Sequence, residues 1–501
     1  MKAREGGQAW RPQTWTVQVL PARTVVIGSL GLAKAALEPE PIGRGRKAFR
    51  EHQFRSNRVP ESIYLATKKE NSMARPCLGQ ISLMIVLAFV LSCAATTQTD
   101  TPGSQPMEGI GRSESLKLPA PFATPSVRNT SKVIGWPKGR MPTAAPGFEV
   151  SLFAENLDNP RSAYVLPNGD VLVVEATREW PGRADRPEKS ANRIALLRDV
   201  NKDGKPDVRE TFLTGLNMPH GMLLLRDWFY VGNTDGVVRY PYRSGQTRIE
   251  AKGEKILDLP AGGHYTRNLI ADPAGRKIYV AVGSASNVDE ENQWEKDQRR
   301  AGILEINPDG SGMRIFARGL RNAVGMDWEP KTNALWTVVN ERDLLGDDLV
   351  PDYLTSVQEG AFYGWPYSYF GRNEDPRKKG QRPDLVAKAI IPDYALGSHV
   401  AALGLAFYRG KAFPQRYHGG AFIGMHGSWN RSAMVGFKVA FVRFQNGKPV
   451  GPLEDILTGF IANEKTFEVY GRPVGVTVAP DGSLLVADDS GGKIWRVSAK
   501  G

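Results

Sequence analysis

Cysteine is almost absent from this chain. Its 501 residues include 2, Cys77 and Cys93, so nothing beyond residue 93 can carry a disulfide framework or a cysteine-based zinc site. The same scarcity leaves no haem attachment motif. Long apolar runs are also scarce. The most prominent, residues 81–91, is too short to cross a bilayer. Charge of one sign is less abundant than it first looks. The formal net charge is +12, but residues 1–72 hold 13 Lys+Arg against 6 Asp+Glu and residues 73–93 add Arg75, leaving +4 beyond Cys93. That is an ordinary surface and excludes a phosphate-binding footprint, so nucleic acid is not an expected partner.

What is present is enough apolar material for a large core. Hydrophobic residues make up 41% and charged residues 24% of the chain, which argues against wholesale disorder. Residues 1–72 show no sustained helical or strand periodicity and form an unassigned basic extension. At Met73 a short basic segment precedes the apolar run, which ends Val90-Leu91-Ser92-Cys93-Ala94. This resembles a bacterial lipobox, so residues 73–93 read as a signal peptide with Cys93 as the lipidated residue. A plain signal peptide cleaved nearby is the competing reading; both give an exported protein. Because such a segment belongs at a terminus, the expected native start is Met73, with residues 1–72 as translated upstream sequence. Residues 94–146 are rich in Pro, Ser, Thr and Gly. That composition predicts a disordered tether between membrane anchor and domain.

From Gly147 one theme recurs: an apolar strand, a turn holding Gly or Pro, and a second apolar strand. It is seen in Ser162-Ala-Tyr-Val-Leu-Pro-Asn-Gly-Asp-Val-Leu-Val-Val, from Gly221, from Asn268, from Gly325, from Gly404 and from Gly475. Six copies at irregular spacing, with no mid-chain linker, predict an all-β domain over 147–501, a six-bladed β-propeller. Phe148-Glu-Val-Ser-Leu-Phe is expected to pair with Lys493-Ile-Trp-Arg-Val and close the ring.

Fold alone says nothing of activity. Polar residues beside the repeat strands are the informative ones, because equivalent propeller loops converge at one end of the axis. They include His220, Arg321-Asn322, Asn340-Glu341-Arg342-Asp343, His399, His426 to Arg431, and Arg472, with His264 in Gly-Gly-His-Tyr-Thr-Arg-Asn. Several Arg and His at one pocket suit an anionic, planar ligand.

These segments resemble the soluble quinoprotein glucose/sorbosone dehydrogenase family, which uses pyrroloquinoline quinone (PQQ). The resemblance rests on His264-Tyr-Thr-Arg-Asn, Gly-Leu-Arg321-Asn322, Asn340-Glu341 with Gly346-Asp347-Asp348, Gly360-Ala-Phe-Tyr-Gly-Trp-Pro366, Gly427-Ser-Trp-Asn-Arg431 and Gly471-Arg472-Pro. It favours the sorbosone-dehydrogenase-like, aldose-oxidising branch. It implies His264 as general base, taking a proton from an anomeric hydroxyl as hydride leaves for the quinone. It further implies Arg321, catalytic, and Asn322 beside the quinone oxygens, Arg431 and Arg472 as clamps on the cofactor carboxylates, and His220 and His399 lining the pocket. A calcium loop falls at Arg342 and Asp343. The chain departs from the family where a second clamping arginine would stand, at Val474. The implied partners are a sugar and a separate electron acceptor, a cytochrome or quinone. The implied location is the periplasm or cell envelope.

A second metal candidate comes from spacing alone. Asp199, Asn201, Asp203, Lys205, Asp207 and Glu210, with Gly204 at the turn, follow a calcium-loop pattern. A metal-free acidic turn fits the pattern as well. Two other functions stay open at this point: a propeller that binds glycan or protein without redox chemistry, and a metal-dependent sugar lactonase.

Overall fold

Val171–Glu175, Ile278–Val282 and Leu335–Val339 are buried at every position. Runs of five mostly apolar residues bounded by turns are too short for helices, and burial of successive residues means that both faces of each strand are covered. The computed structural model describes residues 109–178 and 189–501, all within one unit, Thr97–Gly501. The basic extension, the signal-like segment and Cys93 lie outside the described residues.

Six antiparallel four-stranded meanders follow one another. The first sheet is Pro160–Val165, Val171–Glu175, Arg193–Arg198 and Val208–Leu213. The second is Gly221–Leu225, Trp228–Asn233, Gly236–Pro241 and Glu254–Asp258. The third is Leu269–Ala271, Ile278–Val282, Gly302–Ile306 and Arg314–Arg318. The fourth is Ala323–Trp328, Leu335–Val339, Pro351–Ser356 and Tyr394–Ser398. The fifth is Ala402–Phe407, Ala421–Met425, Lys438–Gln445 and Lys448–Thr458. The sixth, Pro473–Val478, Leu484–Asp488 and Lys493–Ala499, takes its fourth strand from the start of the repeat: Phe148–Ala154 pairs with Lys493–Ala499, Leu152 opposite Trp495.

The turns follow the sequence logic. Gly169, Gly275 and Gly482, at the hairpins between first and second strands, have φ of 92°, 64° and 84°, a region that glycine enters without steric cost. First strands of successive sheets touch in cyclic order, the sixth returning to the first. Apolar clusters fill each of the six gaps between neighbouring sheets. Leu172 and Val174 point into one gap and Val171 and Val173 into the next. Among the described residues the one α-helix, Pro383–Lys388, belongs to an insertion between the third and fourth strands of the fourth sheet.

The tether expectation fails from residue 109 onward. Ile110–Arg112 adds a strand beside Tyr394–Ser398, Lys132–Val133 pairs with Glu468–Val469, and Thr143–Ala144 pairs with Lys448–Thr458. Trp136 packs against Phe460, Tyr470 and Trp495 at ring-centroid distances of 5.4, 5.2 and 5.0 Å. This polar segment builds no core of its own. It is ordered by borrowing the unpaired edges and loops of sheets already made.

Trp495 is 1% exposed and joins the fifth and sixth sheets to this strap. Trp495→Ala is expected to lower unfolding free energy by about 3–5 kcal/mol, read as the shift in the chemical denaturation midpoint. A change below about 1 kcal/mol would show that the gap is filled by other side chains.

Candidate functional site

In an antiparallel meander the start of the first strand and the end of the second lie at the same edge. Six such edges carry the polar residues of this protein. Each first strand opens on, or shortly follows, a basic side chain: Arg161, His220, His264, Arg321, His399 and Arg472. Facing them, at or just beyond the ends of second strands, are Glu175, Asn233, Ser284, Asn340, His426 and Asp489.

His264 is half-buried, and its Nδ1 lies 3.0 Å from both the main-chain oxygen and the Oγ of Ser284. The Ser284 hydroxyl donates to the Ser286 carbonyl at 2.7 Å, so both oxygens facing the imidazole are acceptors. Nδ1 therefore carries the proton and Nε2 the lone pair. Burial, and then the Arg321 charge, push the His264 pKa down to about 3. The ring is neutral at ordinary pH. Gly283 makes room for it, since a Cβ there would collide with His264 and with the Asn322 amide oxygen.

The loop carrying His264 is held from behind by two arginines. Arg267 is fully buried and donates to the carbonyls of His264, Thr266 and Pro260 at 2.7, 2.9 and 2.8 Å. Arg300 donates to those of Pro260, Ala261, Gly262 and Gly283. Among the described residues Arg267 has no carboxylate partner within ion-pair reach. Burial, and then the Arg300 charge, bring its pKa down to about 9.

Arg321 sits beside His264 but differs from expectation. Its Nε, Nη1 and Nη2 donate to Asn287, Asn340, Glu341 and Asp343 at 2.7–3.3 Å. All five N–H groups are taken up inside the protein, so Arg321 presents a field and not a free donor. Asp343 accepts from Arg321 at 3.3 Å and from Asn430 at 2.7 Å, and lies 3.7 Å from His399. Burial opposes charge on Asp343, but His399 and Arg321 outweigh it and hold the carboxyl below its usual range. For His399, burial is likewise outweighed, by Asp343 and the Gly346 carbonyl, and its pKa is raised.

The other wall contains residues that the sequence reading missed. Asp489 forms a buried ion pair with Arg161 and lies 3.0 Å from His426 Nε2. The carboxylate fixes the His426 proton on Nε2 and leaves Nδ1 with the lone pair. Burial, and then Arg472, lower the His426 pKa to about 4. Arg161 also lies over the Tyr265 ring at 5.8 Å, so this cluster adjoins the His264 loop. Arg472 Nε and Nη2 donate to the carbonyls of His426 and Gly427 at 3.0 and 2.8 Å. Arg431 donates to Asp347, Asp348 and Ser398.

Several buried polar atoms at this rim have no partner among the described residues: both ring nitrogens of His220, Nε of Arg161 and of Arg431, and Oδ1 of Asn322. His220 is 5% exposed, and burial followed by Arg161 takes its pKa to about 3. With Arg161 and Asn268 it lines an axial cavity of about 540 Å³ walled by the first strands. Unpartnered buried donors and acceptors are costly without a ligand or water. This donor-rich set fits a polar, polyanionic group.

At the residues of the two metal expectations, the oxygens are engaged by donors of the protein itself. The Asp199 carboxylate accepts from the backbone of Asp203 and Gly204, Asp203 from Lys205, and Asp207 from Val200 and Asn201. Asn201 bonds Asp203, and Glu210 turns aside to Arg248 at 3.4 Å. The oxygens cap their own turn, as Asx residues do. Arg342 forms a 2.6 Å buried ion pair with Asp375, and the Asp343 carbonyl receives Arg342 and Asn287 donors. Among the described residues no three His, Cys, Asp or Glu side chains are grouped to hold a metal.

A nearly all-β unit of successive four-stranded meanders, with a neutral imidazole and a crowded cationic rim, defines the class. The chain belongs to the family described as TrAA12-like, matching it over residues 142–369 and 375–500. It is 28% identical over 261 residues to the aldose sugar dehydrogenase of Escherichia coli, covering 48% of this chain and 62% of that protein. It is 36% identical over 236 residues to an uncharacterized protein of Borreliella burgdorferi, covering 47% and 60%. The matches thus span less than two thirds of either relative. Among solved structures, the calcium structure of the Trichoderma reesei family AA12 enzyme aligns at TM-score 0.61 and 21% identity, over 74% of this chain and 99% of that one. The holo form of the pyranose dehydrogenase PQQ domain of Coprinopsis cinerea aligns at 0.60 and 20%, over 73% and 99%. These likenesses concern the fold.

Asp489→Asn leaves the buried Arg161 guanidinium without its counter-charge. The expected cost is about 3–5 kcal/mol, measured by urea denaturation. A neutral result would mean that solvent reaches the pair.

Proposed function

We propose that the six sheets are the blades of one propeller and that the protein oxidises the anomeric carbon of an aldose, or a related aldehyde, using PQQ with calcium as accompanying ion. The carrying observation is His264: a neutral imidazole whose Nδ1 proton is held by Ser284, whose Nε2 lone pair is open, and whose neighbours are Arg321 and Asn322. The PQQ-dependent Coprinopsis relative and the Escherichia coli aldose sugar dehydrogenase support this choice of chemistry.

Bound PQQ would supply the acceptor for a hydride from the sugar carbon. The residues to hold it are those with unmet donors and acceptors, His220, Asn322 and Arg431, together with Arg472 and His399. His264 Nε2 takes the proton of the anomeric hydroxyl. The fixed charge of Arg321, immobilised by its own hydrogen bonds, favours negative charge developing nearby without reorganising. For calcium, the Asp343 carbonyl has no open lone pair, and no step here runs through the ion. Export with a lipid anchor at Cys93, and electron delivery to a separate cytochrome or quinone, complete the reading.

The test adds PQQ to purified protein, with and without calcium, and follows dye reduction with a panel of aldoses. Turnover is expected only with PQQ and sugar together. Glycan binding without turnover, or lactone hydrolysis, would replace the reading. His264→Ala should lower kcat/KM by about 100- to 10,000-fold while PQQ binding, followed by absorbance, is retained. Because the His264 pKa is lowered to about 3, the base is unprotonated well into the acid range. The kcat/KM profile should therefore show no acid limb from His264 above about pH 5 and lose that base only as pH falls toward 3. An acid limb near pH 6.5 would remove His264 as the titrating base.

A further inference from the structure

The match to the family begins at residue 142, yet the segment before it is joined to the rim at three places. Gly346 and Asp347 donate their backbone N–H groups to Ser126 Oγ and Thr124 Oγ1 at 3.0 and 2.9 Å. Asn129 Nδ2 donates to the carbonyls of Arg431 and Ser432 at 2.8 and 3.4 Å, and its backbone N–H donates to the Trp429 carbonyl at 2.8 Å. Trp136 Nε1 donates to Asp488 Oδ2 at 2.6 Å.

Each contact lies one bond from a residue of the same wall. Gly346 offers its carbonyl to His399 Nε2 at 3.0 Å. The Asp347 carbonyl accepts from Arg431 at 3.1 Å, and its carboxylate accepts from Ser432. Asp488 Oδ1 accepts the Arg472 backbone N–H at 2.7 Å. Among the described residues, His264, Arg321 and Asn322 make no hydrogen bond to residues 109–136, and their link to this wall runs through Asp343, which both Arg321 and His399 reach.

We propose that residues 109–136 form a strap that positions the anion-clamping wall of the site, His399, Arg431 and Arg472, and makes no direct contact with His264. This rests on the PQQ reading for what the wall binds, but the positioning itself does not. A segment outside the family module thus sets the affinity of the site for its polyanionic cofactor. Thr124, Ser126, Asn129 and Trp136 are positioning residues, since none of them is placed against the cofactor itself.

The test uses full-length protein carrying Thr124→Val with Ser126→Ala, Asn129→Ala, or Trp136→Phe, the last keeping an aromatic ring against its neighbours. Lys132→Ala, in the strap but with an exposed side chain that pairs with Glu468, is the control. The readouts are amide exchange across 396–401, 427–436 and 471–473, PQQ titration by absorbance, and thermal melting. The expected result is faster exchange in those loops and a PQQ dissociation constant raised about tenfold, of the order of one lost hydrogen bond. Sugar KM, turnover per bound cofactor and melting temperature should hold, and the control should match wild type. Unchanged exchange in the loops overturns the proposal. So does a general loss of protection and melting temperature, which would make the strap merely structural. If wild-type protein takes up no PQQ, the functional reading falls and the exchange pattern alone decides the strap.

Discussion

Each sheet of this protein has two apolar faces, and that constraint governs the rest. A sheet buried on both faces needs a neighbour on each side. A row of six would leave two faces wet, so the last must meet the first. Apolar side chains of the first and sixth sheets fill the gap where they meet, and the sixth sheet is itself completed by Phe148–Ala154, which pairs with Lys493–Ala499 over six residue pairs. Once the sheets are arranged so, their first-strand starts and second-strand ends have no freedom to disperse. The basic residues meet because the hydrophobic layers require it, and chemistry uses what packing has brought together.

The price of that convergence is a high density of buried positive charge. Three guanidinium groups are met by carboxylates: Arg161 by Asp489, Arg342 by Asp375, Arg321 by Asp343. Arg267 and Arg300 are met by main-chain carbonyls instead. Carbonyl dipoles solvate a cation without cancelling its charge, so the field of these arginines persists across the rim. It lies behind part of the neutrality of His264, whose pKa Arg321 and Arg267 both depress after burial has acted. The tautomers follow from the same neighbours: a carbonyl and hydroxyl fix His264, a carboxylate fixes His426.

The strands and turns were legible because they depend on local chemistry. Pro-Asn-Gly-Asp and Pro-Asp-Gly-Ser turns between apolar runs state their own conformation. His264, Arg321, Asn322 and Arg472 were legible through motifs beside those strands. Arg161 and Asp489 were not, because their partnership spans 328 residues and neither stands in a distinctive pattern. His426 stands beside the Gly427-Ser-Trp-Asn-Arg431 motif, but its pairing with Asp489 has no local signal. The loop at 199–210 stays ambiguous in sequence for a definite reason. The Asp and Asn spacing that surrounds a calcium ion is also the spacing that caps a turn with its own backbone N–H groups. Residues 109–146 misled. Composition reports whether a segment can build a core, and is silent on whether another domain will lend it partners.

Val474 shows how the departure from the family pattern is absorbed. The position expected to hold a second clamping arginine is 1% exposed and packs with Val324 and Leu403 at the axis. Its carbonyl lies so close to Gly404 and Gly424 that a Cβ on either would overlap it. A guanidinium here would enter an apolar cluster with no carboxylate at hand, a costly placement. Positive charge is nonetheless present one strand away. Gly475 backs onto the Arg161 carbonyl, and the Arg161 side chain reaches Asp489 and the Tyr265 ring. The neighbouring first sheet thus supplies a cation beside the site where the sixth sheet has given one up, and the corner keeps its charge while the axis keeps its packing.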